Sequence, residues 1–308
     1  NTSAGYFMTN ANKATVLILG GAGFIGGYLT NTLSKSGYQV RIPTRNRERA
    51  KAHLIVLPNV EVIQTDISNM ETFDSLLAGV DIVINCVGIL HENQKNDFKK
   101  FHTALVDRVV AGCNSQKVKH LIHLSALKAS SSGPSAYLRS KADGESIIQS
   151  KLNSTTDKNI IRPSVVFGAG DSFLTMFAEL ANWLPLIPLA KPNAKFQPVF
   201  VGDLVQSILS CVDGIEKRTV IDLCGPKQYE LIELVRYATS FSRFNPIIIP
   251  LPEWASYAQA RVFELIRLKL ISTDNLSSMS VDNTCDTPSD RSRKTIESIA
   301  PSYLSRAS

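Results

Sequence analysis

One stretch limits what this chain can fold into: Val16-Leu17-Ile18-Leu19-Gly20-Gly21-Ala22-Gly23-Phe24-Ile25-Gly26-Gly27-Tyr28-Leu29. A short apolar run ends in glycines, and Phe24, Ile25, Leu29 and Leu33 then follow at helical spacing. That order reads as strand, tight turn, helix. Gly20, Gly23 and Gly26 recur at a regular three-residue step. Glycines so placed let the backbone turn sharply, approach a pyrophosphate, and pack helix against strand. The amides of Ala22, Gly23, Phe24 and Ile25 would face the phosphates at the helix start, where the helix dipole favours negative charge. A Gly-rich turn with no ligand is the plainer alternative; the strand-turn-helix context favours a dinucleotide site.

With 308 residues the chain has room for one large α/β domain and a smaller lobe. Hydrophobic residues make up 44% and charged residues 19%, a globular balance. The net charge of +6 is spread without a basic run, which argues against nucleic acid as a partner. Cys86, Cys113, Cys211, Cys224 and Cys285 are odd in number and far apart. No Cys-x-x-Cys pair occurs, so a reducing compartment is expected, with no disulfide framework and no metal site. His120 and His123 are expected to be ordinary strand residues. No apolar run is long enough to span a membrane. The first twelve residues carry no Lys, Arg, Asp or Glu and resemble neither a secretory signal nor a transit peptide. Residues 1–13 are expected to be disordered. The expected location is the cytoplasm or the mitochondrial matrix side, peripheral on the inner membrane, not secreted.

Downstream, strand and helix patterns alternate. The first helix runs to about Ser36, and Tyr38–Ile42 forms the second strand. In a doubly wound sheet the end of this strand meets the adenosine ribose. An acidic residue there would select NAD, but the chain has Pro43-Thr44-Arg45-Asn46-Arg47. The guanidinium of Arg45 matches a 2′-phosphate, so NADP(H) is preferred, with NAD(H) the alternative. Val60–Gln64 is a third strand. Asp66 after it suits either the adenine amino group or a helix cap near Ser68 or Asn69. Asp81–Gly88 is the fourth strand, whose end (Cys86, Val87, Gly88) would let a cofactor lie against the backbone. A helical stretch spans about Asp97 to Gln116, and Leu121–Ser125 is the fifth strand.

Tyr137 and Lys141 share one helix face after a polar loop. A phenol titrates near ~10, too high for a base at neutral pH. A neighbouring ammonium is expected to lower it. Tyr137 would then exchange a proton with a carbonyl or alcohol while Lys141 also bonds the nicotinamide ribose. Ser125 would hold the same oxygen. This is an oxidoreductase-type site; turnover is a separate question. Asn159–Gly168 supplies a sixth strand. The fold expected is α/β: a Rossmann-type doubly wound parallel sheet over residues 14–168, completed by later segments, with a smaller C-terminal α/β lobe over 169–272.

In that lobe Trp183, Leu184 and Leu186 suggest an apolar pocket wall. Glu253–Ser272 reads as an amphipathic helix with Trp254, Leu265, Arg261 and Arg267 on it. It either packs on its own domain or meets a partner subunit or an anionic membrane surface. Residues 273–308, poor in aromatics, are expected to form an extended tail.

Several stretches resemble the extended or atypical branch of the short-chain dehydrogenase/reductase family, the NAD-dependent epimerase/dehydratase type. They are Gly20–Gly26, Asp66, Ser125, Tyr137-x-x-x-Lys141, Arg162–Gly168 and Val199–Leu204. Ser135–Glu145, Lys195–Val199, Asp274–Leu276 and Met279–Asn283 are similar in wording to one subgroup. It is that of the NADPH-binding accessory subunits of respiratory complex I and their bacterial relatives. The resemblance implies cofactor contacts from Ile67, Pro163 and Val166 beside those above. It also implies a tightly held nucleotide in a structural or regulatory role linked to quinone metabolism, with respiratory-complex subunits as partners. The alternative is a free NADP(H)-dependent reductase, dehydrogenase or epimerase acting through Ser125, Tyr137 and Lys141. Leu19 replaces a threonine common in extended members, and His102 stands where many have asparagine, which interrupts their proton relay.

Overall fold

The alternation of strand β1 (Thr15–Leu19) builds both halves of the core. Val16 and Ile18 enter one apolar cluster, Leu17 and Leu19 the other, and all four are fully buried. The computed structural model describes residues 13–48, 57–67, 70–92, 94, 96–265, 271–287 and 290–305. The expected disorder of residues 1–12, and the helix start at Ser68 or Asn69, fall outside them.

The central sheet continues with β2 (Gln39–Thr44), β3 (Val60–Gln64), β4 (Ile82–Asn85), β5 (His120–Leu124), β6 (Asp157–Pro163) and β7 (Val220–Leu223). All seven strands run parallel in the order β7-β6-β5-β4-β1-β2-β3. Helix α1 (Phe24–Lys35) covers one face. Helices α2 (Met70–Leu77), α3 (Leu105–Gln116) and α4 (Ala136–Lys151) lie on the other. A π-helical turn, Lys99–Ala104, leads directly into α3. The chain reverses direction of build between β1 and β4, so ligands meet the sheet at that edge.

The lobe begins with α5 (Leu174–Ala181). Helix α6 (Val201–Val212) returns to pack beside α1, and β7 completes the sheet. Leu186–Leu189 pairs in parallel with Ile247–Pro250. Helix α7 (Leu231–Thr239) closes the lobe core, and α8 (Glu253–Leu265) follows. Residues 266–270 of the expected long helix lie outside the described residues.

Two expectations fail here. The described part of the C-terminal segment is not an extended tail. It forms α9 (Thr273–Ser278), α10 (Ile296–Ile299) and α11 (Pro301–Leu304). Leu276, Ile296, Ala300 and Leu304 are buried, the last three in the lobe core. A few well-spaced apolar anchors suffice to dock a segment of polar composition. Second, Cys224 and Cys285, 61 residues apart, form a disulfide. Cys113 and Cys211 are free and buried, and Cys86 is free.

Candidate functional site

Gly20 turns the chain with a φ of +81°, a left-handed conformation that favours glycine. Gly26 allows the closest approach in the turn. A Cβ there would stand 2.2 Å from the Gly20 carbonyl oxygen. Helix α1 therefore starts directly on the turn. Its cap residue, Gly23, offers no side-chain hydrogen bond, so no side chain occupies the first amides. That cradle fits a dinucleotide pyrophosphate. Ala22 and Gly23 are exposed at its mouth, with Phe24 and Ile25 half-buried.

Parallel strands bring their C-terminal ends to one edge, and the remaining candidates lie there. Arg45 is exposed just past β2, and Asp66 just past β3. The Ile67 carbonyl accepts from the Arg108 guanidinium at 2.9 Å. Past β4, the Val87 amide donates to Asn85 Oδ1 at 3.1 Å, and Asn85 Nδ2 donates to His123 Nδ1 at 3.2 Å. Cys86 lies between, its thiol pushed up to about 12 by burial. Pro163 ends β6, and Val166 pairs with Val199.

Helix α4 places Tyr137, Lys141 and Glu145 on one face, one turn apart. The buried Lys141 ammonium donates to the Leu124 carbonyl at 2.7 Å. Burial pushes it down to about 8, against the pull of Glu145 and Cys86. Tyr137 departs from expectation: burial pushes its phenol up to about 12, and Lys141 does not offset this. Among the described residues its hydroxyl makes no hydrogen bond. Ser125 departs too. Its hydroxyl donates to Glu145 Oε1, which also accepts from Arg162 Nε at 2.9 Å. The second Glu145 oxygen accepts from Arg162 as well. Ser125 is thus turned toward the partly buried Glu145–Arg162 ion pair.

His102 carries more of the site than its place in a helical stretch suggested. The π-helical turn sets its ring stacked on Phe98 and edge-on to Tyr137, with centroids 5.4 and 5.7 Å apart. The Ile89 amide donates to its Nε2 at 3.1 Å, which assigns the proton to Nδ1, facing Ser140 Oγ at 2.9 Å. Ser140 then donates to the Tyr137 carbonyl at 2.8 Å. Burial and Lys141 push His102 down to about 3, so the ring is neutral. Both nitrogens are thus committed to neighbouring groups. His102 ties the loop after β4 to the start of α4. Only its helix period was visible in the sequence, which gives no sign of a π-turn.

His120 Nε2 bonds Asn159 Oδ1 at 2.6 Å, a strand-to-strand contact. Among the described residues no group of His, Cys, Asp or Glu is placed to hold a metal. No helix of the described residues is long and apolar enough to cross a membrane. Trp183, 85% exposed, lies with the exposed Leu184 and Leu186 on the surface.

Residues 20–169 match the family model described as NAD(P)H-binding. The chain is 30% identical to the mitochondrial NADH dehydrogenase (ubiquinone) 1 alpha subcomplex subunit 9 of Rattus norvegicus, over 83% of this chain and 69% of that protein. It is 28% identical to the protein of that name from Arabidopsis thaliana, over 85% of this chain and 70% of that one. The chain therefore spans about two thirds of the length of these relatives. Among solved structures it resembles the epimerase Mth375 of Methanothermobacter thermautotrophicus. The TM-score is 0.68 at 17% identity, over 88% of this chain and 91% of that one, a likeness of fold. The expected Rossmann-type fold and a nicotinamide-nucleotide-binding domain are both borne out.

Proposed function

This chain belongs to the family of NADH dehydrogenase (ubiquinone) 1 alpha subcomplex subunit 9, and from that premise we propose that it holds NADPH tightly as a structural element of a respiratory assembly. The observation that carries the reading is the state of Ser125. Its hydroxyl proton is given to Glu145, so it is not offered to a substrate oxygen. The nucleotide-holding parts, by contrast, are intact. The glycine turn would take the pyrophosphate, Arg45 the 2′-phosphate, and Lys141 and Tyr137 the nicotinamide ribose. Asp66, Ile67, Cys86, Val87, Gly88, Pro163 and Val166 would line the rest. Bound there, the nicotinamide would supply a hydride donor or acceptor.

Helix α8 supports a docking role. Only Ser256 and Ala260 are buried along it, while Trp254 is 76% and Leu265 84% exposed. Arg261 is exposed on the same helix. A surface of that kind suits a partner subunit, with an anionic membrane as the competing occupant.

A second reading, a free NADP(H)-dependent reductase or epimerase, has the unbonded Tyr137 hydroxyl in its favour, since a free phenol is ready to donate to a substrate oxygen. Native mass after mild detergent extraction, with the nucleotide identified in the same fraction, separates the two. Co-migration with a respiratory complex, carrying NADPH that quinone-like carbonyls leave reduced, is the expected result. A small species that exchanges its nucleotide and oxidises it on adding such carbonyls would overturn the structural reading.

A further inference from the structure

The segment after α8 crosses the same edge of the sheet at which the nucleotide cleft opens. A helix start exposes backbone amides that need acceptors. At the start of α4, Ser135 Oγ serves only the Leu138 amide, at 3.1 Å. The Ala136 and Tyr137 amides are served from far along the chain. Asp274 Oδ1 accepts from Ala136 at 2.6 Å and Oδ2 from Tyr137 at 3.1 Å. A carboxylate there also meets the positive end of the helix dipole. Ser278 donates to Ser135 Oγ at 2.8 Å, and the buried Asn275 donates to the Leu90 carbonyl at 3.3 Å. Nine residues beyond Asp274, Asn283 Oδ1 accepts from Ser164 Oγ at 2.6 Å and from the Val165 amide at 3.1 Å. Its own amide donates to the Lys195 carbonyl at 2.9 Å. Lys128 pairs with Asp286 at 2.7 Å. The disulfide then joins Cys285 to Cys224, which is fully buried at the end of β7.

We propose that residues 272–287 are a strap that positions Tyr137 through Asp274, and that the Cys224–Cys285 bond latches the strap to the sheet. The segment touches the loops after β4, β5, β6 and β7 in turn, so it walls the nicotinamide side of the cleft. Its other ties are hydrogen bonds, two ion pairs (Lys128–Asp286 and Lys195–Asp282) and the buried Leu276; the disulfide is its one covalent cross-link. A dithiol opens it. A thiolate of the dithiol attacks Cys285 Sγ, which is half-buried and more accessible than Cys224. The Sγ–Sγ bond breaks and Cys224 leaves as a thiolate that takes up a proton. The second thiol resolves the mixed disulfide, so two protein thiols form and the dithiol becomes a disulfide. The effect on cofactor release rests on the nucleotide site proposed above; the effect on Tyr137 does not.

Amide hydrogen exchange tests the latch on the full chain as purified, after dithiothreitol, after reoxidation, and as Cys285→Ser. Reduction is expected to speed exchange at Ala136, Tyr137 and residues 273–287 by at least about fivefold. Reoxidation is expected to restore protection, and Cys285→Ser to match the reduced protein. Unchanged exchange on reduction would overturn the latch. NADPH release, followed by its fluorescence, is expected to quicken in step. If exchange responds while NADPH does not bind at all, the nucleotide reading fails and the strap stands. Asp274→Asn tests positioning. The ring NMR resonances of Tyr137 and the pH at which its phenol titrates are expected to move, and Asp274→Glu to return them toward the parent. Resonances and titration that stay put in Asp274→Asn would overturn the positioning role.

Discussion

Replacing Lys141 by methionine is expected to stabilise the protein while weakening its hold on nucleotide. The ammonium is buried beneath Leu124, and burial moves its pKa from 10.5 to about 8. That fall corresponds to a penalty of about 3 kcal/mol on the charged form at neutral pH. Methionine has similar length and no charge. Its cost is the hydrogen bond to the Leu124 carbonyl, about 1–2 kcal/mol with the acceptor left unpaired. The net expected gain at pH 7 is about 1–2 kcal/mol, a rise of a few degrees in Tm. The sign with pH follows from the depressed pKa. Between about 8 and 10.5 the unfolded chain binds the extra proton, so the parent gains stability as pH rises through that window. Above it, Lys141 is neutral in both states and the advantage of methionine disappears. Urea unfolding of parent and Lys141→Met at pH 7 and pH 10 measures this. A variant that is less stable at pH 7, or a difference that does not shrink toward pH 10, would refute the reasoning.

Gly26→Ala puts a methyl 2.2 Å from the Gly20 carbonyl and should cost about 2–4 kcal/mol in chemical denaturation and abolish nucleotide binding. NADPH is expected to bind more tightly than NADH, and Arg45→Ala to narrow the gap by about tenfold in a fluorescence titration; equal affinities in the parent would sink the 2′-phosphate argument. Tyr137→Phe should leave NADPH affinity within about threefold, since Lys141 would keep its bond to the nicotinamide ribose and the glycine turn the pyrophosphate; loss of binding would make the residue structural. His102→Ala should loosen the loop after β4, seen as faster exchange of the Ile89 amide that its Nε2 now accepts from.

What the sequence disclosed was local. The period of two in Val16–Leu19, the glycine step at 20, 23 and 26, and the four-residue spacing of Tyr137 and Lys141 each act within one element. Those features are written where they operate, and they carried the parallel sheet and the edge on which the candidates gather. What stayed hidden acts across the chain. Asp274 and Ala136 are 138 residues apart, and Cys224 and Cys285 are 61 apart. No spacing rule links such pairs, and an odd cysteine count without Cys-x-x-Cys argued against the bond that forms. The environment of Ser125 was hidden for a related reason. Glu145 shares a helix face with Lys141, but only the sheet brings Arg162 of β6 across to it.

The protonation pattern bears on why a site with Tyr137 and Lys141 both in place would hold a nucleotide rather than turn it over. A phenol held near 12 stays protonated at neutral pH, so it can give a proton but not take one. Having given it, it would need to be recharged. His102, edge-on to the phenol, is one candidate, but it is neutral and spends both nitrogens on Ile89 and Ser140. Ser125 spends its proton on Glu145, and Glu145 is claimed by Arg162. His102, Ser125 and Glu145 are thus committed to the fold, while Lys141 keeps donors beyond its bond to the Leu124 carbonyl for the nicotinamide ribose. The same commitments would hold the cleft in shape, and a pre-shaped cleft binds a large ligand with little ordering cost. On the proposed reading, slow release and an idle hydride would both follow from one arrangement, so the rate of NADPH dissociation tests that reading as directly as a search for a substrate.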